Sequence, residues 1–263
     1  MFRSLYTAAS GMEAQELSLD NIANNLSNSN TTGFRRRRLQ FEDLLYQNLI
    51  TPGAPNTQQT IIPSGLQVGL GSRSAATEMI QQQGNFSSTG NPLDLAIQGA
   101  GFFQVLLPSG EIAYTRAGNF AVDNVGNLVT QDGNQIQPGI TIPADALTIT
   151  VGNDGTVSVT EPGQQQPAQV GTIQLATFQN PGGLNSIGNN LFTATAASGD
   201  PIVGAPGGAE GLGTIQEGAV EQSNVNVVEE FVNMILAQRS YEANSRVVRA
   251  ADEMFQTLNG LTT

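Results

Sequence analysis

Cysteine and histidine are both missing from this 263-residue chain, and so are lysine and tryptophan. Without cysteine there are no disulfides and no thiolate metal sites, and folding does not depend on the redox state of its compartment. Without histidine the commonest general base and the commonest metal ligand are gone. Charge is also scarce: 12% of residues carry one, about half the usual share, with Gly, Asn, Gln, Ser and Thr in its place. A surface so poor in charge is expected to face something other than water over much of its extent. No run approaches the ~18 to 20 apolar residues of a membrane span. The opening MFRSLYTAASGMEAQELS lacks the apolar core of about 7 to 15 residues that a Sec-type signal needs, so export without a cleavable signal peptide is expected.

Catalytic apparatus is equally thin. Gly99-Ala100-Gly101 has neither the third glycine nor the following helix of a dinucleotide fingerprint, and it leads into the strand-like FFQVLL. There is no Walker lysine and no G-x-S-x-G elbow. Asp123, Asp132 and Asp154 sit in DNVGN, QDGN and GNDGT, which lack the full ligand spacing of a calcium loop and read as hairpin turns. An enzyme would be left with a carboxylate pair, as in a glycosidase, whose spacing is a tertiary property. No catalytic residue, metal ligand or cofactor is expected.

What the chain does have is two long amphipathic segments. Leu5, Met12, Leu19 and Leu26 recur every seven residues, with Ala8 and Ile22 three beyond the first and third. On a wheel of 100 degrees per residue, Ile22, Leu26, Leu19 and Met12 share one side, while Asn21, Asn24, Asn25 and Asn28 lie on another with Ser10, Ala14 and Ser18. That second face has no charge, as expected for a helix contacted on both sides rather than solvated. Near the other end, Val227, Met234, Tyr241, Val248 and Phe255 repeat the period of seven. Asn226 with Glu229 predicts a capped start and Gly260 a stop. Glu242 with Arg246 and Arg249 with Glu253 have the i, i+4 spacing that supports a long helix.

Between these segments the period changes to two. LDLAIQ, FFQVLL, EIAYTR, NLVTQ, ITIP, LTITV, TVSV and TIQLATF predict short strands joined by Gly, Asp and Asn turns, hence a sandwich or barrel-like body. The expected fold is mixed α and β. Residues 1–45 form an N-terminal helix and turn, 46–85 an extended loop-rich arm, 86–220 an all-β body, and 221–263 a C-terminal helix. The two helices pair as an antiparallel, coiled-coil-like stalk. Two helices cannot cover two contact faces each, so other subunits are expected to cover the remainder.

Charge follows the same division. Residues 86–220 carry ten acids and a single cation, Arg116, of a total net charge of -12. Four consecutive arginines, Arg35, Arg36, Arg37 and Arg38, follow Gly33-Phe34. Three readings stay open for them: a nucleic-acid patch, cations complementing a helix C-terminus, or pairing with acids of neighbouring subunits such as Glu42, Asp43 or the acidic body. The run is short, without interleaved aromatics and part of an acidic chain, which argues against nucleic acid. Arginine alone suits bidentate, partly buried pairing.

These segments together resemble a known family. ASGMEAQELSLDNIANNLSNSNTTGFRR is similar to the N-terminal signature of bacterial flagellar rod and hook proteins. GLQVGLGS, NPLDLAIQGAGFFQV and YTRAGNF resemble its core segments, and SNVNVVEEFVNMILAQRSYEANSRVVRAADEM its C-terminal signature. Length and the segment FEDLLYQNLITPGAPNTQQTIIPSGLQVGLGS are most similar to the distal-rod members, with a sister rod or hook-type protein as the alternative. The usual lysine after Gly33-Phe34 is replaced by arginine.

The resemblance implies a structural subunit polymerised helically into a hollow drive shaft of the flagellar basal body, crossing the periplasm and passing torque to the hook. It implies terminal helices in an inner tube and β-bodies outside. Implied partners are further copies of itself, other rod proteins and the hook protein, the peptidoglycan and outer-membrane rings, and the flagellar type III export apparatus. The arm is the candidate for keeping the rod straight. Subunit contacts are expected from Leu5, Met12, Leu19, Asn21, Ile22, Asn24, Asn25, Leu26, Asn28, the four arginines, Val227, Met234, Tyr241, Val248 and Phe255. A coiled-coil-stalked surface adhesin, the rival of another class, would need a Sec signal and an anchor that this sequence does not display.

Overall fold

The computed structural model describes residues 2–53, 55–57, 60–61, 63–163, 166–208 and 211–261. They divide into two compact units.

The first unit takes the residues up to Ser27, Arg37–Glu78, and those from Asn226 onward. Helix α1 spans Phe2–Ser27 and helix α2 spans Val227–Leu261. Asn226 caps α2 as its sequence predicts, its Oδ1 accepting from the backbone N–H of Val228 at 3.1 Å and of Glu229 at 3.4 Å. Gly260 does not stop α2, which continues to Leu261; glycine weakens a helix by only about 1 kcal/mol and breaks none by itself. Glu242 pairs with Arg239 at 2.9 Å, one turn towards the N-terminus, rather than with Arg246. The helices run antiparallel, since Asn25 approaches Glu230 while Gly11, earlier in α1, lies against Asn244, later in α2. Among the described residues no helix is long and apolar enough to cross a membrane.

Residues 46–85 are more ordered than an open arm. Tyr46–Ile50 pairs antiparallel with Leu66–Gly69, and Ser72–Met79 pairs with Arg37–Asp43. Alternation of Leu66, Val68 and Leu70 encodes the second half of that ladder, but the surrounding Gly and Pro conceal it. The segment expected as helix and turn likewise ends in a strand, Arg37–Asp43.

The second unit takes Asn28–Arg36 and Met79–Val225. Its central strand, Phe102–Leu106, pairs with Ile112–Thr115 on one side and with Gln135–Gln137 and Leu175–Thr177 on the other. Phe102, Phe103, Gln104 and Val105 are all buried, as the unbroken FFQVL predicts for a strand covered on both faces. A three-stranded sheet, Thr148–Val151, Thr156–Thr160 and Ala168–Thr172, lies elsewhere in this unit. Phe103, Leu95, Ile97, Ile136, Ile140, Val157, Val159, Ile173, Leu175 and Ile215 form the main core. A second cluster stacks Tyr114 edge-on against Phe178 at 4.8 Å, with Phe102 and Phe192 beside them. The sheets are open: strands Ala121–Val122 and Asn185–Gly188 end the largest one without meeting. The barrel-like expectation fails because several strands have only two or three residues, too short to bend one sheet into closure. Asp123 and Asp154 serve their own turns, Asp123 Oδ1 accepting the Asn124 N–H at 2.6 Å. Asp154 Oδ1 accepts from Thr156 Oγ1 at 2.6 Å and its N–H at 3.1 Å, and these bonds lower its pKa.

Candidate assembly interface

Small residues decide where α1 and α2 touch. On α1 the buried positions are Ala8, Ala14, Ile22 and Asn25; on α2 they are Glu230, Ala237 and Ala251. Glu230, Ala237, Asn244 and Ala251 are each seven apart, and Asn244 is half-buried. A Cβ on Gly11 would stand 2.7 Å from Nδ2 of Asn244, the movable end of that side chain, so Gly11 lies directly against Asn244. Interaxial distance is set by the side chains at the contact, and a line of Ala, Gly and Asn brings the helices close.

The expected seams therefore flank this line rather than fill it. Leu5, Met12, Leu19 and Leu26 are half-buried, as are Met234, Val248 and Phe255; Val227 and Tyr241 are exposed. Bulky side chains at those angles are held off by the close approach and keep part of their apolar surface uncovered. Ile22, expected with them, is buried within the chain.

The amide face also divides. Asn25 is 1% exposed. Its Nδ2 donates to the Arg37 carbonyl at 2.8 Å and lies 3.5 Å from Glu230 Oε2, and its Oδ1 accepts from the Arg37 N–H at 3.0 Å. Asn21 donates to the same carbonyl at 2.8 Å. These two amides hold the chain's own first strand against α1, a role that the expectation of intersubunit contact did not foresee. Asn24 is exposed and Asn28 half-buried.

The four arginines separate as well. Because α1 ends at Ser27, none lies in its last turn. Arg38 pairs with Glu78 at 2.8 Å on the surface, where Gln40 donates to the same carboxylate oxygen at 2.7 Å. Both bonds, Arg38's the larger influence, hold the Glu78 carboxyl below its usual pKa. Arg37 meets Asn25 and Asn21 through its backbone. The backbone N–H of Arg36 donates to Asn224 Oδ1 at 2.6 Å.

Arg35 departs furthest from the expected intersubunit cation. It is 4% exposed, and its Nη2 lies 2.8 Å from Oε1 of Glu221 in the same chain. Glu221 is itself 1% exposed; its Oε1 also accepts the Gly84 N–H at 3.0 Å, and Arg116 Nε stands 3.0 Å from its Oε2. That last contact is ionic and lacks hydrogen-bond geometry. Arg116 donates to the carbonyls of Gly101 and Gly99 at 2.6 and 2.9 Å, and Arg35 to that of Gln82. Burial pulls the Arg116 pKa down to about 10 against the opposing pull of Glu221, and lowers Arg35 for the same reason. One carboxylate thus gathers two guanidiniums and, with them, four backbone groups on two segments, residues 82–84 and 99–101. Nearby, Asn224 Nδ2 donates to the carbonyls of Ile80 and Gln82 at 3.0 and 2.8 Å. Sequence reasoning passed over Glu221 and Asn224; the one signal was Arg116, a lone cation in an acidic stretch.

The outer side of α2 is apolar at its start. Val228, Phe231, Val232, Ile235 and Leu236 are all exposed, Val228 at 72% and Leu236 at 60%. Beyond them the same side carries Arg239, Glu242, Arg246 and Arg249. Such an apolar patch on a helix end has the composition of an interface.

Three family models match the chain: "Flagella basal body rod protein" over residues 5–35, "Flagellar hook protein FlgE/F/G D1 domain" over 96–159, and "Flagellar basal body rod FlgEFG protein C-terminal" over 216–261. The flagellar basal-body rod protein FlgG of Caulobacter vibrioides is 50% identical over 260 residues, covering 98% of this chain and 99% of the relative. The chain belongs to the FlgG family of flagellar basal-body rod proteins. FlgG of Buchnera aphidicola is 48% identical over 261 residues, covering 99% of this chain and 100% of its own, and FlgG of Borreliella burgdorferi 47% over 263 residues, covering 99% of each. The family is structural, not enzymatic, and its members are distal-rod subunits of the flagellar basal body. Two of the three family models cover most of α1 and all of α2.

Proposed function

We propose that this chain polymerises helically with further copies of itself into the hollow distal rod, and that its apolar helix surfaces are what the polymer covers. The observation that carries this reading is the uncovered side of α2: five large apolar residues within nine positions, each able to contribute roughly 1.5 to 3 kcal/mol when fully buried. In this reading α1 and α2 form a coiled-coil-like stalk in an inner tube, residues 1–45 and 221–263, while the β-body, residues 86–220, lies outside. The half-buried Leu5, Met12, Leu19, Leu26, Met234, Val248 and Phe255 complete their burial between subunits, and the exposed Val227, Tyr241 and Asn24 supply further contact. The strand pairs of residues 46–85 stiffen the shaft against bending.

Family membership supports a wider assembly as part of this proposal. The rod crosses the periplasm within the peptidoglycan and outer-membrane rings, joins other rod proteins and the hook protein at its ends, and transmits torque. Subunits reach its tip through the flagellar type III export apparatus, and folding coupled to association keeps them from polymerising early. Replacing Val232 and Leu236 by Asp tests the reading: far-UV dichroism is expected to stay native, while electron micrographs show no straight tubes. Tubes of normal number and length would refute it.

A further inference from the structure

The unit that contains the helices has a second uncovered apolar feature, a groove of about 490 Å³ lined by Arg3, Tyr6, Leu44, Leu45 and Leu70. Tyr6 is 73% and Leu45 84% exposed. The groove and the α2 ridge lie at opposite ends of the helix pair. Gly11 faces Asn244 and Asn25 faces Glu230, so Arg3 and Tyr6 are level with α2 near residue 250, whereas the ridge centres on Val232. Eighteen residues at 1.5 Å each put them about 27 Å apart along the axis. A chain therefore cannot seat its ridge in its own groove. A second copy can, and because ridge and groove are different surfaces, the contact is head-to-tail: it leaves a free groove on one copy and a free ridge on the other, and continues as an open helical array. Charge agrees in sign, with Arg3 in the groove wall and Glu229 beside ridge residues Val232 and Leu236 on the helix surface.

We infer that the Val228–Leu236 ridge of one copy docks into the Arg3/Tyr6/Leu44/Leu45/Leu70 groove of the next, which rests on the polymer reading above and assigns it a specific pair of surfaces. If the helix axes stay near parallel, docked neighbours are displaced along the axis by about 27 Å.

The absence of cysteine makes the test clean. The full chain carrying both Leu45→Cys and Ile235→Cys is assembled, treated with a short bismaleimide and run on a denaturing gel beside each single variant. The expected result is a ladder of covalent oligomers from the double variant and a monomer band from each single one. Tubes without a ladder would overturn the docking and leave polymerisation standing. A covalent dimer from Ile235→Cys alone would overturn it in favour of ridge against ridge. If the unsubstituted chain forms no tubes, polymerisation itself fails and the docking with it. Reversing charge at Arg3→Glu is expected to raise the critical concentration for assembly by up to about fivefold, with Glu229→Arg restoring it; no change in either would remove the electrostatic part.

Discussion

Replacing Glu221 by Gln removes a single charge from a buried ionic cluster. Both partners, Arg35 and Arg116, are about as buried as the carboxylate, at 4% and 3% exposure. Glutamine keeps one oxygen for the Gly84 N–H or for Arg35, but leaves two guanidiniums facing each other with no counter-charge. Breaking a buried pair by removing one partner costs about 3 to 5 kcal/mol, and here two cations lose the same anion, so the upper half of that range is expected. Against a total stability of about 5 to 15 kcal/mol, the second unit is brought close to unfolding. Urea titration followed by near-ultraviolet tyrosine dichroism reads that unit selectively, because Tyr114 is buried there while Tyr6, Tyr46 and Tyr241 are exposed. With a slope of roughly 2 kcal/mol/M, the midpoint is expected to fall by about 2 M. A companion variant, Arg35→Met with Arg116→Met and Glu221→Leu, removes every charge. Such replacements are often neutral, but here the carbonyls of Gly99 and Gly101 lose their Arg116 donors and the Gly84 N–H loses its acceptor, at about 1 to 3 kcal/mol each, while Gln82 keeps Asn224 as a donor, so full recovery is not expected. A Glu221→Gln midpoint within about 0.5 M of the parent at unchanged slope, or full recovery in the triple variant, would refute the reasoning.

Three further outcomes are expected. Gly33→Ala destabilises the second unit by more than about 2 kcal/mol: Gly33 has φ +70° and a Cβ there would lie 2.6 Å from the backbone of Arg116 and Ala117, so strain and clash add; an unchanged urea midpoint would contradict this. Asn25→Leu lowers stability by about 2 kcal/mol or more by leaving the Arg37 N–H without its acceptor, and hydrogen exchange at Arg37 is expected to accelerate while that of the β-body does not. Glu78 titrates below an ordinary glutamate because Arg38 and Gln40 donate to it. With its folded pKa below the unfolded one, its contribution is present above the unfolded value and lost as pH falls through the folded one. Carboxyl carbon shifts in parent and Arg38→Gln are the check, with the variant expected to return upward.

Period, caps and composition were enough to place two long helices, because an amphipathic repeat of seven and an Asn cap are local properties of the chain. They also located several strands of the body, where period two and turn residues alternate, but ITIP holds only an isolated bridge at Thr141 and the short strands from Asn185 to Glu221 were not foreseen. Which residues the helices bury was not local. Leu5, Met12, Leu19 and Leu26 form the most conspicuous apolar repeat, yet Ala8, Ala14 and Asn25 take the contact, because the closest approach of two helices is set by the smallest side chains on both, and one helix cannot specify its partner's register. The arginine run shows the same limit from the side of charge. Its four members read alike in sequence, but Arg35 became one arm of a buried cluster through Glu221 and Arg116, distant in the chain, while Arg38 stayed on a solvated strand with Glu78. Burial converts a charge from a soluble surface group into a structural one, and burial is decided only when remote segments meet.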